Sequence, residues 1–150
     1  MPVETMTSAN VKQAVPLFCV TNIEASLRFY VDGLGFKMKR WWIPDNSQDD
    51  YKPDGKIRWC WLELGEAAIM LQELLPERQP KETLGTGTNI CFQCEDALAL
   101  YREFKARSIQ TRNRPFVGTR LWVVPVTDPD GYRMEFSSPT DAPEDTELGE

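Results

Sequence analysis

No histidine occurs anywhere in the 150 residues. That absence excludes Ser-His-Asp and Cys-His nucleophile activation, HExxH zinc sites and facial triads built on two histidines. Acid–base chemistry would fall to a carboxylate, lysine, tyrosine or thiol. No apolar run approaches the roughly 18 to 20 residues needed to span a bilayer. Residues 1–10 carry neither a basic start nor an apolar stretch, so no secretion signal or membrane partner is expected, and the cytoplasm is the expected compartment. No basic stripe is present for a nucleic acid.

Cysteine is sparse. Cys19, Cys60, Cys91 and Cys94 each sit inside an apolar run, which reads as buried thiols rather than a disulfide framework. Cys91 and Cys94 form a CxxC spacing, but in a strand-like segment residues three apart point to opposite faces, so chelation by the pair is not expected. The net charge of −6 is concentrated at one end: Asp141, Glu144, Asp145, Glu147 and Glu150 leave residues 1–140 with a net charge of −1. Acidic and nearly devoid of apolar groups, residues 139–150 read as a disordered tail.

What is present has a repeating order. Residues 1–13 read as a flexible arm, and Ala14 to Val20 is an apolar run of strand length. Asn22 suits a helix N-cap, Ile23, Leu27 and Tyr30 follow at i, i+4 and i+7, and Gly33 and Gly35 provide a stop. Phe36 to Ile43, Ile57 to Leu64 and Ala67 to Leu74 then read as strands. The intervening Pro44 to Lys56 has loop composition and the length of a lid. Residues 14–75 thus form a βαβββ module, and 76–87 reads as a linker. Residues 88–138 repeat the plan. Asn89 to Cys94 is strand-like, Asp96 can cap a helix, and Ala97, Tyr101 and Phe104 lie 74 positions beyond Ile23, Leu27 and Tyr30. A short strand near Ile109, then Leu121 to Val126 and Arg133 to Ser137 flanking a DPDGY turn, would complete a second βαβββ unit.

The runs TNIEASLRFYVDGLGF and VTDPDGYRMEF resemble the vicinal-oxygen-chelate superfamily of glyoxalases, bleomycin-resistance proteins and extradiol dioxygenases. The resemblance implies an α+β fold in which two βαβββ modules form curved mixed sheets around a cavity. It also places the family's four metal-ligand positions on Val15, Met70, Asn89 and Glu135. Only Glu135 is a good ligand for a hard divalent ion, so no metal and no cofactor are expected. The similarity is greatest to the metal-free, bleomycin-resistance-like branch, which implies a homodimer holding a small molecule.

Strand alternation then sets the candidate site. Val15, Leu17, Cys19, Ala68, Met70, Gln72, Asn89, Cys91, Gln93, Arg133, Glu135 and Ser137 share one face of their strands, and Phe18, Val20, Ile69, Leu71, Ile90, Phe92, Met134 and Phe136 the other. Trp41, Trp42, Trp59, Trp61 and Trp122 add flat stacking surfaces. The expected ligand site is therefore Trp42, Trp59, Trp61, Met70, Gln72, Asn89, Gln93, Trp122, Arg133 and Glu135, taking a planar or aromatic small molecule. The alternatives are a metal-independent enzyme with Glu135 as general acid or base and Arg58, Arg120 or Arg133 beside it, and an interaction module with a vestigial pocket.

Overall fold

The computed structural model describes residues 9–44, 55–80 and 82–149. Strand β1 (Leu17–Val20) leads into helix α1 (Ile23–Leu27), followed by β2 (Lys37–Trp42), β3 (Trp59–Leu64) and β4 (Ala67–Glu73). The second half repeats the order with β5 (Asn89–Gln93), α2 (Ala97–Ala106), β6 (Phe116–Gly118), β7 (Leu121–Thr127) and β8 (Arg133–Pro139). Each half builds its own four-stranded sheet, in the orders β1-β4-β3-β2 and β5-β8-β7-β6. In both, the first strand runs parallel to the last and the remaining pairs are antiparallel. The fold is α+β, two βαβββ modules with mixed sheets.

The helices start where local chemistry directs them. The Asn22 and Asp96 side chains accept hydrogen bonds from the Ala25 and Ala99 amides at 3.1 and 3.0 Å, satisfying donors that have no partner in the first helical turn. Glu73, reaching across from β4, accepts from the Ile23 amide at 2.8 Å and is also paired with Arg58. Beyond Leu27 the helix widens into a π-type stretch, Arg28–Gly33, closed by a 2.9 Å bond from the Leu34 amide to the Phe29 carbonyl.

One core serves both modules. Phe18, Val20, Leu62, Ile69 and Leu71 project from the first sheet and Val124, Val126, Met134 and Phe136 from the second, with Tyr30 and Phe104 from the helices among them. Each such burial contributes about 1.5 to 3 kcal/mol. Phe36 meets Phe92 edge to face at 5.9 Å, so aromatic rings of the two halves touch directly. Alternation fixes the consequence: the residues between these core positions face away from the core, some of them exposed and some, such as Val123, Pro125 and Ser137, buried on that other face.

Three expectations are corrected here. No strand forms at Ile109, because the chain turns back at Ser108 (φ 66°) and the Ile109 side chain packs on Gly33; the third strand of the module is Phe116–Gly118. Cys60 is buried, but Cys91 is exposed on the sheet face away from the core. The acidic tail is ordered over its described length: Leu148 donates to the Pro115 carbonyl, and Val117 and residues 145–146 exchange backbone bonds, laying the tail along β6. An unpaired strand edge attracts any extended segment whose own side chains need no core, and that outweighs composition. The arm and the lid fall largely outside the described residues, at 1–8 and 45–54.

Candidate functional site

On the face of the first sheet away from the core, strand register assembles two cross-strand rows. Leu17, Met70, Trp61 and Arg40 form one, and Cys19, Gln72, Trp59 and Trp42 the other. Alternation along β2 would not bring Arg40 and Trp42 here. A bulge between Met38 and Arg40 does so, adding one residue and reversing the inside–outside pattern beyond it. The Arg40 guanidinium lies 4.3 Å above the centre of the Trp61 ring, and the Trp61 indole donates to Glu63 at 2.8 Å. Leu17 and Trp42 remain 45% and 41% exposed, so this surface carries exposed apolar groups.

The second sheet carries a polar counterpart. Asn89, Cys91 and Gln93 on β5 stand opposite Arg133, Glu135 and Ser137 on β8. The Asn89 amide donates to Glu135 at 2.7 Å, and the Cys91 thiol lies 3.9 Å from the other carboxylate oxygen. Burial and the Glu135 charge both push the Cys91 thiol up, so it stays protonated at neutral pH. Among the described residues no lysine or arginine pairs with Glu135. Of its candidate partners, Arg58 is held by Glu73 and Arg120 lies at the tail, its backbone amide directed to Glu144.

Register therefore brings Trp42, Trp59, Trp61, Met70 and Gln72 together on one sheet, and Asn89, Gln93, Arg133 and Glu135 together on the other. Trp122 joins neither group. It pairs with Ser138 and Val117 on the helix-facing side of β7 and packs against the core. Sequence reasoning missed Arg40, because its place depends on the bulge, and Arg112, discussed below.

The metal-ligand positions of the resembled family divide the same way, Val15 and Met70 with the first sheet and Asn89 and Glu135 with the second. A donor set with one carboxylate, one amide, one thioether and one hydrocarbon does not fit a hard divalent ion. Among the described residues no three His, Cys, Asp or Glu side chains converge as a metal site. Cavities among the described residues lie away from the tryptophan rows. The first, about 330 Å³, is lined by Leu64, Ala67, Phe92, Leu100 and Phe136 at the junction of the modules. Another, about 430 Å³, adjoins Arg58 and Glu73, and a third, about 250 Å³, adjoins Arg112 and Arg133. No described helix is long and apolar enough to cross a membrane.

Two βαβββ units share one core and carry a tryptophan-rich face on one sheet and a polar face on the other. The chain belongs to the glyoxalase/bleomycin resistance protein/dioxygenase superfamily, whose family model matches residues 12–136. Similar solved structures include TnmS3, an antibiotic-binding protein from Streptomyces sp. CB03234, with 20% identity over 89% of this chain and 100% of that one and a TM-score of 0.60. The bleomycin-binding protein of Streptomyces verticillus, complexed with copper(II)-bleomycin, has 18% identity over 87% and 98% of the two chains and a TM-score of 0.61. TioX from Micromonospora sp. ML1 has 17% identity over 88% and 99%, with a TM-score of 0.60. At these identities the likeness is one of fold. A search of curated proteins finds no match.

Proposed function

We propose that the chain is a homodimeric binding protein that holds a planar, aromatic small molecule against the Trp42–Trp59 and Trp61 rows, without a metal and without turnover. The observation that carries this reading is the bulge-aligned row of Trp42, Trp59, Trp61, Gln72 and Met70, which gathers three indoles, a thioether and an amide on one sheet face away from the core. Flat indoles supply stacking area, and the Gln72 amide supplies orientation. A second copy related by a two-fold axis would cover the surface and turn it into a groove. Two of the similar proteins are described as binding an antibiotic or bleomycin, which supports the same use of the fold.

The test is titration of the full chain with planar aromatic probes, beginning with anilinonaphthalene sulfonate, followed by tryptophan fluorescence, with light scattering on the same samples. Quenching that saturates in a dimer and is lost in Trp59→Ala is expected. A strict monomer, or quenching unchanged by that substitution, would overturn the reading. A second reading is supported by the Asn89–Glu135 bond and by a carboxylate with no described cationic partner: Glu135 would act as general acid or base in a metal-independent reaction. It requires turnover that Glu135→Gln abolishes while leaving binding intact.

A further inference from the structure

The third cavity lies at the end of the second sheet, between the 83–87 loop and the side chains of Arg112, Thr127 and Arg133. Two glycine contacts hold the loop there. A Cβ on Gly85 would lie 2.7 Å from the Tyr132 Cα, and one on Gly131 would lie 3.0 Å from the Leu84 carbonyl oxygen. Both glycines also have positive φ, 80° and 99°, so only glycine lets the loop and the β7–β8 turn approach so closely. The cavity is thus built by backbone, and its loop side presents Thr83, Thr86 and Gly87.

The opposite wall is cationic, and its Arg112 side is fixed. The Arg112 backbone amide donates to the Pro125 carbonyl at 2.9 Å, and its guanidinium donates to the Val126 carbonyl and to the Thr127 hydroxyl, the latter at 3.0 Å. Arg133 opens β8 directly across from Thr127 in the register. Both arginines line the same cavity, and burial first, then the Arg133 charge, lower the Arg112 pKa, with Glu135 opposing them. Like charges brought together around a cavity are unfavourable unless an anion joins them. The nearby carboxylates are hydrogen-bonded to other groups, and only Glu135 offsets part of the Arg112 charge. Asp128 accepts from Tyr30 and from two turn amides, Asp130 accepts from Thr21, and Glu135 accepts from Asn89. Among the described residues neither arginine forms an ion pair.

We propose that this cavity is an anion site, in which Arg112 and Arg133 hold a phosphoryl group or another doubly charged tetrahedral oxyanion against the Gly85–Gly87 loop. Two guanidiniums match a dianion in charge, and their planar forks match its oxygens in geometry. A volume of about 250 Å³ accommodates the group with part of whatever bears it. The site is separate from the tryptophan rows and does not depend on an aromatic ligand.

Calorimetric titration of the full chain with inorganic phosphate, and separately with phenyl phosphate, tests the proposal, with amide chemical shifts recorded alongside. Saturable binding at one site per chain is expected, with shifts at Gly85, Thr86 and Gly87. Arg133→Gln should weaken it about tenfold or more through loss of a charge-assisted contact. Arg133 is exposed and makes no described hydrogen bond, so this variant keeps its fold even if Arg112→Gln does not. Equal affinity for both probes identifies a site for the free ion, and tighter binding of the ester identifies the phosphoryl group of a larger molecule. Absence of saturable binding with either probe, or binding that Arg133→Gln leaves unchanged, would overturn the assignment.

Discussion

The Tyr30 hydroxyl donates a 2.8 Å hydrogen bond to Asp128, tying the helix of the first module to the turn before the last strand of the second. Both groups are buried. Around them the same turn makes further contacts across the module boundary. Thr21 donates to Asp130 through its hydroxyl at 2.6 Å, Tyr132 donates to the Cys19 carbonyl at 2.8 Å, and the Phe18 and Tyr132 rings stack at 4.4 Å. The DPDGY segment that marks the family in the sequence is therefore a clasp between modules.

Removing the phenolic hydroxyl should loosen that clasp. Tyr30→Phe leaves one Asp128 oxygen without its donor in a buried setting, at a cost of about 1 to 3 kcal/mol. Urea unfolding should show a lower midpoint with an unchanged slope, since the surface exposed on unfolding is nearly the same. A midpoint equal to wild type would mean that water replaces the hydroxyl.

The clasp should also respond to pH. Burial raises the Asp128 carboxyl above its ordinary value of 3.8, against the opposing pull of Tyr30 and the turn amides. For a carboxyl raised on folding, the folded state takes up the proton first as pH falls, so stability increases on descending through the window from the raised value to 3.8. The melting temperature of wild type relative to Asp128→Asn should therefore rise as pH drops through that window. A constant difference, or one that moves in favour of the variant, would show that hydrogen bonding outweighs desolvation.

A third expectation concerns the tail. Thr119 and Arg120 both have positive φ, 52° and 63°, in the turn between β6 and β7, where neither residue type is favoured. Glu144 offsets this by accepting from both backbone amides, at 2.5 and 3.4 Å. Glu144→Ala should cost about 1 to 2 kcal/mol, and deletion of 141–150 should lower the melting temperature by more than the point substitution does. Thermal denaturation of the three proteins decides it; a deletion without effect would return the tail to the unordered state its composition suggests.

How far the sequence revealed the fold follows from which physics each element obeys. Asn22 and Asp96 cap helices by a local rule, and the apolar spacing of Ile23, Leu27 and Tyr30 recurs at Ala97, Tyr101 and Phe104, so both modules were legible. The placement of β6 was not. Its partner residues lie beyond a turn at Ser108 whose positive φ no sequence pattern announces. Trp122 was assigned to the ligand face by its type, whereas its position beside two inward-facing valines, Val124 and Val126, sets it on the core side. Arg40 and Trp42 reach the open surface only through a bulge, and tail docking depends on a vacant strand edge; both are tertiary facts. Cys91 is exposed because its strand has one bare face, which an apolar run conceals.

The last prediction tests the packing that displaced the expected strand at Ile109. Gly33 ends the widened helix, and a Cβ placed on it would lie 2.4 Å from the Ile109 Cδ1 and 2.9 Å from its Cγ1, closer than real contacts allow. The Gly33 backbone has no positive φ, so an alanine there would be strained only by this collision. Gly33→Ala alone should destabilise by about 1 to 3 kcal/mol through overpacking, and Ile109→Ala alone by about 1 to 2 kcal/mol, because this side chain is only half-buried. In the double variant the new methyl group occupies part of the vacated space. The two losses should then sum to more than the double variant shows, giving a coupling of about 1 kcal/mol or more. Equilibrium unfolding of the four proteins closes the cycle. Simple additivity would mean that the Ile109 side chain swings clear of Gly33 at little cost, and that the turn at Ser108, rather than this contact, keeps the segment out of the sheet.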